Sequence, residues 1–472
     1  MSEIKNKYVI GDALSFLKES RKLAPKRKAK SRTDDFSEIY QIKKESDLVI
    51  QADRCLDCGN PYCEWKCPIH NYIPNWLELV ANQQFDKAAA LMHQTNPLPE
   101  ICGRVCPQDR LCEQACTLNT GLGAVTIGEI EKNIADFALN NDWRPDLSRV
   151  KNTGKKVAIV GAGPAGIACA ELLVRNGVRA IVFDKYPEIG GLLTFGIPEF
   201  KLEKSILVKR RIFLEDLGVK FVLNTEIGKD KHIQDLQNEF DGVFLGMGTY
   251  RAVDGNLPGR ENKGVIAALD YLIGNVNQQK NYQMVDSHYY DLKNKNVIVL
   301  GGGDTAMDCV RSAVRQKAKS VTCVYRKTEV EMPGSRTEVK NAKEEGVKFI
   351  FNLQPIAIKS SSNNKLESID FERTNFDVLK HKDEVVNLQA ESVILAFGFR
   401  ANPAKWFEQS GISTDTSGLV STLPNTGKTT ATNIYAGGDM VSGADLVVTA
   451  IAQGRGAAKQ ILNDLEVLND LF

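Results

Sequence analysis

Long apolar runs are missing from this chain. No stretch of about 18 apolar residues occurs in it, which excludes a membrane-spanning helix. Charge of one sign is missing as well. Sixty Lys and Arg face 59 Asp and Glu and leave a net +1, so no global field draws the chain to nucleic acid or to an anionic membrane. Histidine is scarce. The five, His70, His93, His232, His288 and His381, are scattered and form no visible pair, so a structural role is expected for each. The stretch Met1–Ser31 is polar and Lys-rich and lacks the apolar core of a signal peptide. A cytoplasmic location follows as the expectation, and disulfides are rare there.

What is present is ordinary in amount. Hydrophobic residues make up 43% and charged residues 25% of 472, which excludes a disordered chain. That length suggests about three domains. The cysteines are unusual only in placement. Eight of the 11 lie between Cys55 and Cys116; Cys169, Cys309 and Cys323 stand apart and form no C-x-x-C pair. The first group reads Cys55-x2-Cys58-x4-Cys63-x3-Cys67-Pro68. The second reads Cys102-x3-Cys106-Pro107-x4-Cys112-x3-Cys116. In a reducing compartment dense cysteines point to metal. Three close cysteines and a fourth before Pro have the shape of a ferredoxin run, with x4 where ferredoxins have x2. Zinc is the alternative, but it prefers paired C-x2-C knuckles, and only Cys55 and Cys58 form one. Two four-iron clusters would use eight ligands.

Residues 1–40 read as a mobile basic arm. Residues 41–150 read as an α-helical iron–sulfur domain, with helical spacing over Asn75–Met92 and Ile127–Leu139. From Trp143 to Gly154 the chain reads as a linker. An α/β pattern follows. The strand Lys156–Val160, the turn Gly161-Ala-Gly-Pro-Ala-Gly166, a helix and the strand Ala180–Asp184 form one βαβ unit. The strand Asn296–Leu300, the turn Gly301-Gly-Gly-Asp-Thr-Ala306, a helix and the strand Ser320–Tyr325 form another. Late strands Ser392–Ala396 and Asn433–Ala436 suggest that the first domain (151–290 and 395–472) is interrupted by the second (291–394).

Gly161, Gly163 and Gly166 carry a dinucleotide fingerprint, with Pro164 and Ala165 opening the helix. Gly161 makes the turn, Gly163 admits a pyrophosphate and Gly166 lets the helix pack. Asp184 ends the next strand, where a carboxylate accepts from ribose hydroxyls. In the second unit Gly301, Gly303 and Ala306 repeat the pattern, but its strand ends in Tyr325-Arg326-Lys327. A cationic pair there favours the 2′-phosphate of NADPH over NADH. Arg336 is a further candidate. Gly438 and Asp439, before a late helix, suit the ribityl and pyrophosphate of a flavin.

With these pieces in place the chain, from about Gln51 onward, resembles the family of small (beta) subunits of bacterial NADPH-dependent glutamate synthase. The resemblance rests on Ala52-Asp-Arg-Cys-Leu-Asp-Cys-Gly-Asn-Pro-Tyr-Cys63, Cys102-Gly-Arg-Val-Cys-Pro-Gln-Asp-Arg-Leu-Cys112, Gly190-Gly-Leu-Leu-Thr-Phe-Gly-Ile-Pro198 and Gly301-Gly-Gly-Asp-Thr-Ala-Met-Asp-Cys309. The module also resembles the N-terminal part of dihydropyrimidine dehydrogenase. The resemblance implies interleaved ligand sets. One cluster takes Cys55, Cys58, Cys63 and Cys116; the other takes Cys67, Cys106, Cys112 and Glu131, with Glu129 the alternative to Glu131 and Cys102 a bystander. It implies flavin contacts at Gly191, Leu192, Lys201 and around Asp439. It implies NADPH contacts at Gly302, Gly303, Asp304, Thr305, Arg326, Lys327, Ala396, Phe397 and Gly398. The implied cofactors are FAD, NADPH and two [4Fe-4S] clusters. The implied partner is a large (alpha) subunit that forms glutamate, since no cysteine precedes Cys55 to act as an N-terminal amidotransferase nucleophile. A reductase module serving a ferredoxin or sulfide-oxidising partner, or a non-catalytic metal-stabilised scaffold, is the alternative.

Overall fold

Val157–Val160 and Val297–Leu300 are apolar at every position. Such runs are stable as strands when both faces are covered, the environment of a parallel sheet. In the computed structural model of the chain each run lies in the central strand of its own five-stranded parallel sheet. The structure describes residues 14–282, 284, 287–374 and 385–467. From edge to edge the first sheet runs Ile434–Ala436, Gly242–Leu245, Lys156–Val160, Arg179–Phe183, Lys220–Val222. The second runs Val265–Ala267, Ser392–Leu395, Asn296–Leu300, Ser320–Tyr325, Lys348–Phe351. An antiparallel sheet of Leu353–Ser360, Leu366–Arg373 and Val386–Gln389 packs against the second through Ile358, Ile369 and Phe371.

Ile434–Ala436 joins the first sheet only after the second is complete, so the second domain is inserted into the first. Two passages of chain connect them, and these pair antiparallel as Arg251–Ala252 with Phe399–Arg400. The insert begins earlier than the expected boundary at 290/291. Val265–Ala267 is an edge strand of the second sheet, and the helix Ala268–Lys280 after it packs into the same core. A three-residue strand has too little pattern to stand out in the sequence. It forms because Ser392–Leu395 pairs with it.

Helices build the cysteine-rich domain. Ile73, Trp76, Leu77 and Val80 are buried on one face of Ile73–Ala81, at the i, i+3, i+4, i+7 spacing of an amphipathic helix. The stretch expected as one helix over Asn75–Met92 is two, Ile73–Ala81 and Phe85–Thr95. Gln83, in the polar run Asn82-Gln83-Gln84, adopts φ +59° and breaks the ladder. His93 is structural. It is buried, with Nδ1 2.8 Å from the Ala89 carbonyl, and its ring lies against Trp143 and Phe213. His381 and residues 1–13 lie outside the described residues.

The expected mobile arm also needs correction, because residues 14–40 are tied to the rest of the chain. Arg32 is only 1% exposed, and its Nε donates to Glu345 at 2.8 Å. Lys26 pairs with Glu344 at 2.7 Å. Arg21 donates to the Ala124 carbonyl at 2.6 Å, and the buried Ile39 N–H donates to the Phe200 carbonyl at 3.3 Å. Local composition reads these cations as solvated. Their acids come from distant parts of the chain.

Candidate active site

Val160 ends the central strand, and the helix Pro164–Arg175 begins four residues later. Pro164 takes the first helical position, where its missing N–H costs nothing. Gly161 makes the turn at φ +104°. A Cβ on Gly166 would fall 1.9 Å from the Gly161 carbonyl oxygen, so only glycine lets the helix pack on the turn. Gly163 is different: a Cβ there would meet nothing within 4 Å. That open cradle at a helix N-terminus fits a pyrophosphate. The Ala162 N–H donates to Asp184 Oδ2 at 2.6 Å and the Tyr186 N–H to Oδ1 at 2.8 Å. Each oxygen keeps a free lone pair for a ribose hydroxyl. Burial pushes this carboxyl up.

A cleft of about 840 Å³ opens beside this turn. It gathers Gly161, Gly163, Pro164, Ala165, Asp184, Gly191, Leu192, Lys201, Gly438 and Asp439, together with Asp304 and Thr305 from the second domain and Gly398 from the passage that connects the two. Gly166 does not line it but packs on the Gly161 turn. Gly302, Gly303, Arg326, Lys327, Arg336, Ala396 and Phe397 do not line it. Burial pushes Asp439 up to about 6. Lys201 Nζ lies 3.3 Å from Asp308 Oδ1 on the inserted domain. Tyr186 and Tyr250 also line the cleft, with the Lys185 ammonium over both rings. No motif pointed to these two tyrosines. Val105 lines the cleft too, although it belongs to the cysteine-rich domain. Only its place before Cys106 could have drawn notice.

The second glycine loop repeats the geometry. Gly301 turns at φ +143°, and a Cβ on Gly303 would meet nothing within 4 Å. Gly302 is covered by the Tyr325 ring, and its carbonyl accepts from the Gly334 N–H at 3.0 Å. Asp304 opens the helix Asp304–Arg315 and accepts from the Ser335 N–H at 2.9 Å. Arg326 and Lys327 are exposed, and Lys327 Nζ lies 3.4 Å from Glu331. Arg336 is exposed at the start of the helix Arg336–Glu344.

The cysteines fall into two groups that interleave along the chain. Cys55, Cys58, Cys63 and Cys116 line one cavity, whose other walls include Leu77, Leu118, Val125 and Ile127. Burial pushes the Cys55 thiol up to about 11 and that of Cys63 to about 12. Arg54, fully buried, fixes one side of this region by donating to the carbonyls of Leu122, Gly123 and Ala124. Cys67, Cys106 and Cys112 lie close to Glu131: burial raises the Cys67 and Cys112 thiols and the hydrogen bond with Cys102, then burial, raises that of Cys106, with the negative charge of Glu131 adding to all three. Glu131 accepts from Asn71 at 3.1 Å and Asn96 at 2.9 Å, and burial pushes it up to about 8. Glu129 is engaged elsewhere, by the Ala24 N–H at 2.9 Å and by Lys43 at 3.1 Å. Cys102 is buried beside Cys106, with Sγ 3.7 Å from Asn96 Oδ1. Among the described residues no three His, Cys, Asp or Glu side chains converge on a single ion. A four-iron cube instead takes one ligand at each of four corners, and soft thiolates in an apolar wall suit it.

A family model described as dihydropyrimidine dehydrogenase domain II, 4Fe-4S cluster, matches residues 32–143. One described as pyridine nucleotide-disulphide oxidoreductase matches residues 155–454. The first spans all eight clustered cysteines and the second both glycine loops. The glutamate synthase [NADPH] small chain of Halomonas elongata is 53% identical, over 97% of this chain and 99% of its own length. The chain belongs to the family of glutamate synthase small chains. Its Escherichia coli member is also 53% identical, over 94% of this chain and 97% of its own. The family is one of oxidoreductases with an iron–sulfur module ahead of a two-domain pyridine-nucleotide reductase. The solved structure of Mycobacterium tuberculosis FprA in complex with NADPH is similar in fold, with a TM-score of 0.55 at 20% identity, covering 66% of this chain and 85% of that one.

Proposed function

We propose that the chain is the NADPH-oxidising subunit of a glutamate synthase. In this reading it holds FAD and two [4Fe-4S] clusters and delivers electrons to a large (alpha) subunit that makes glutamate from glutamine and 2-oxoglutarate. One observation carries the reading. Val105 lines the nucleotide cleft, and the next residue, Cys106, belongs to a cysteine group. Bound FAD supplies hydride acceptance and its division into single electrons, which the clusters carry.

The protein's part is holding and orienting. The Gly161–Gly166 turn and its helix N-terminus receive the flavin pyrophosphate, Asp184 the ribose, and Lys201 and Asp439 the rest of the flavin. Gly302–Thr305 receive the NADPH pyrophosphate, with Ala396–Gly398 alongside. Arg326 and Lys327 attract the 2′-phosphate, and Arg336 lies near enough in sequence to assist. Hydride transfer needs alignment rather than a proton shuttle, so no side chain acts as acid or base. Cys55, Cys58, Cys63 and Cys116 hold an outer cluster. Cys67, Cys106, Cys112 and Glu131 hold an inner one, and Cys102 holds neither. The engagement of Glu129 by Lys43 supports Glu131 as the ligand.

Tyr62 and Trp65, 53% and 55% exposed, stand edge to face at 5.5 Å beside the outer group. Leu56 and Leu122 are exposed there too. Aromatic residues of this kind are enriched at protein interfaces, which supports the cysteine-rich domain as the docking face in a hetero-oligomer. Among the described residues no helix is long and apolar enough to cross a membrane, and the proposed location is the cytoplasm. Copurification with a tagged chain tests the reading. A large amidotransferase-bearing subunit is expected. Recovery of only a ferredoxin-type or sulfide-oxidising partner would replace the assignment.

A further inference from the structure

The nucleotide loop of the inserted domain is touched by a residue from outside that domain. Arg110 lies between Cys106 and Cys112 in the iron–sulfur domain. Its Nη1 donates to the Pro333 carbonyl at 2.6 Å, and its Nη2 lies 3.5 Å from Asp304 Oδ2. Asp304 is the first residue of the helix Asp304–Arg315, and Asp304 and Thr305 both line the cleft. Gly334, next to Pro333, packs directly on Gly302–Asp304. The Arg110 guanidinium is therefore held at the helix N-terminus toward which the glycine loop aims a pyrophosphate.

We infer that Arg110 is a pyrophosphate ligand that the iron–sulfur domain supplies to the NADPH site, exchanging Asp304 for the nucleotide on binding. The inference rests on the NADPH reading above. Two carboxylates stand nearby. Asp304 Oδ1 is taken by the Ser335 N–H, and Asp109 Oδ2 by the Arg336 N–H at 3.2 Å. An anion entering here needs a cation to offset them, and Arg110 is placed to supply it. Exchange is cheap. The Arg110–Asp304 pair is 43% and 36% exposed, and exposed pairs contribute little to stability. A guanidinium also suits the fork of phosphate oxygens.

The test is titration of the holoprotein with NADP⁺ and with NAD⁺ at low ionic strength, followed by flavin absorbance. Arg110→Gln should weaken both nucleotides by the same factor, about 10-fold or more, the scale of one charge-assisted hydrogen bond. Arg326→Glu, run in parallel, should weaken NADP⁺ selectively. Unchanged affinity in Arg110→Gln overturns the inference, and a loss confined to NADP⁺ overturns the pyrophosphate assignment. Failure of the wild-type protein to bind NADP⁺ would instead remove the underlying reading, and the inference with it. Iron and flavin are counted in the same samples. Asp304→Asn guards against a merely structural effect. It should tighten NADP⁺ binding more in the Arg110 background than in Arg110→Gln, because only there does it release a cation. Equal tightening in both backgrounds overturns the inference.

Discussion

Lys201 Nζ lies 3.3 Å from Asp308 Oδ1, and the two residues belong to different domains. Both are nearly buried, and burial pushes Asp308 up to about 6 even with the ammonium beside it. The pair pins the inserted domain to the rim of the cleft. Removing one partner leaves a buried charge and costs about 3–5 kcal/mol. Asp308→Ala should therefore lower the urea midpoint clearly. The double variant Lys201→Met/Asp308→Leu should recover most of the loss, since apolar replacements of a buried pair are often neutral. Unfolding followed by circular dichroism checks both.

Iron content should divide by group. In anaerobically prepared protein Cys55→Ser should lose the outer cluster, about half the iron by the two-cluster reading, and keep its flavin. Glu131→Ala should destabilise the inner cluster more mildly, since three thiolates remain. Cys102→Ser should keep all its iron. A Cys102→Ser protein that lost as much iron as Cys106→Ser would contradict the assignment of Cys102 as a bystander.

Nucleotide preference should follow Arg326. Arg326→Glu removes a charge-assisted contact worth about 1.5–3 kcal/mol and adds repulsion, so NADPH affinity should fall roughly 10- to 150-fold. NADH should suffer less. Steady-state kinetics with a dye and both nucleotides measure it.

Stability should depend on pH through Glu345. Burial alone would raise its carboxyl, but hydrogen bonds from Arg311 and Arg315 hold it down to about 2. A depressed acid contributes stability in full above its unfolded value and loses it as pH falls toward the folded one. Glu345→Gln should therefore cost about 3 kcal/mol near neutrality. The gap to wild type should narrow between pH about 4.5 and about 2. A gap constant over that window would show that Glu345 acts through shape rather than charge.

The legible parts of this protein are local. Each glycine loop sits between a buried strand and a helix within about 30 residues, the span of one βαβ unit, and the cysteines stand in two short runs. Gly161, Gly163, Asp184 and Asp439 could be placed at one cleft because each marks the end of a strand or the start of a helix. The rest depends on chain brought from far away. Arg32 and Glu345 are 313 positions apart, and nothing around either one names the other. Val265–Ala267 is too short to carry a period. Val105 and Arg110 reach their sites only because the cysteine-rich domain docks against both nucleotide domains, and no local pattern encodes docking.

The central claim is that electrons enter at the nucleotide cleft and leave through the cysteine-rich domain to a separate subunit. Cys55→Ser tests it most directly, in two assays on one preparation. With NADPH and a dye that accepts electrons from reduced flavin, the variant should turn over at close to the wild-type rate. With the large subunit, glutamine and 2-oxoglutarate, it should form almost no glutamate, while wild type forms it only when that subunit is present. Glutamate formation at the wild-type rate by Cys55→Ser, or by the isolated chain alone, would contradict the account.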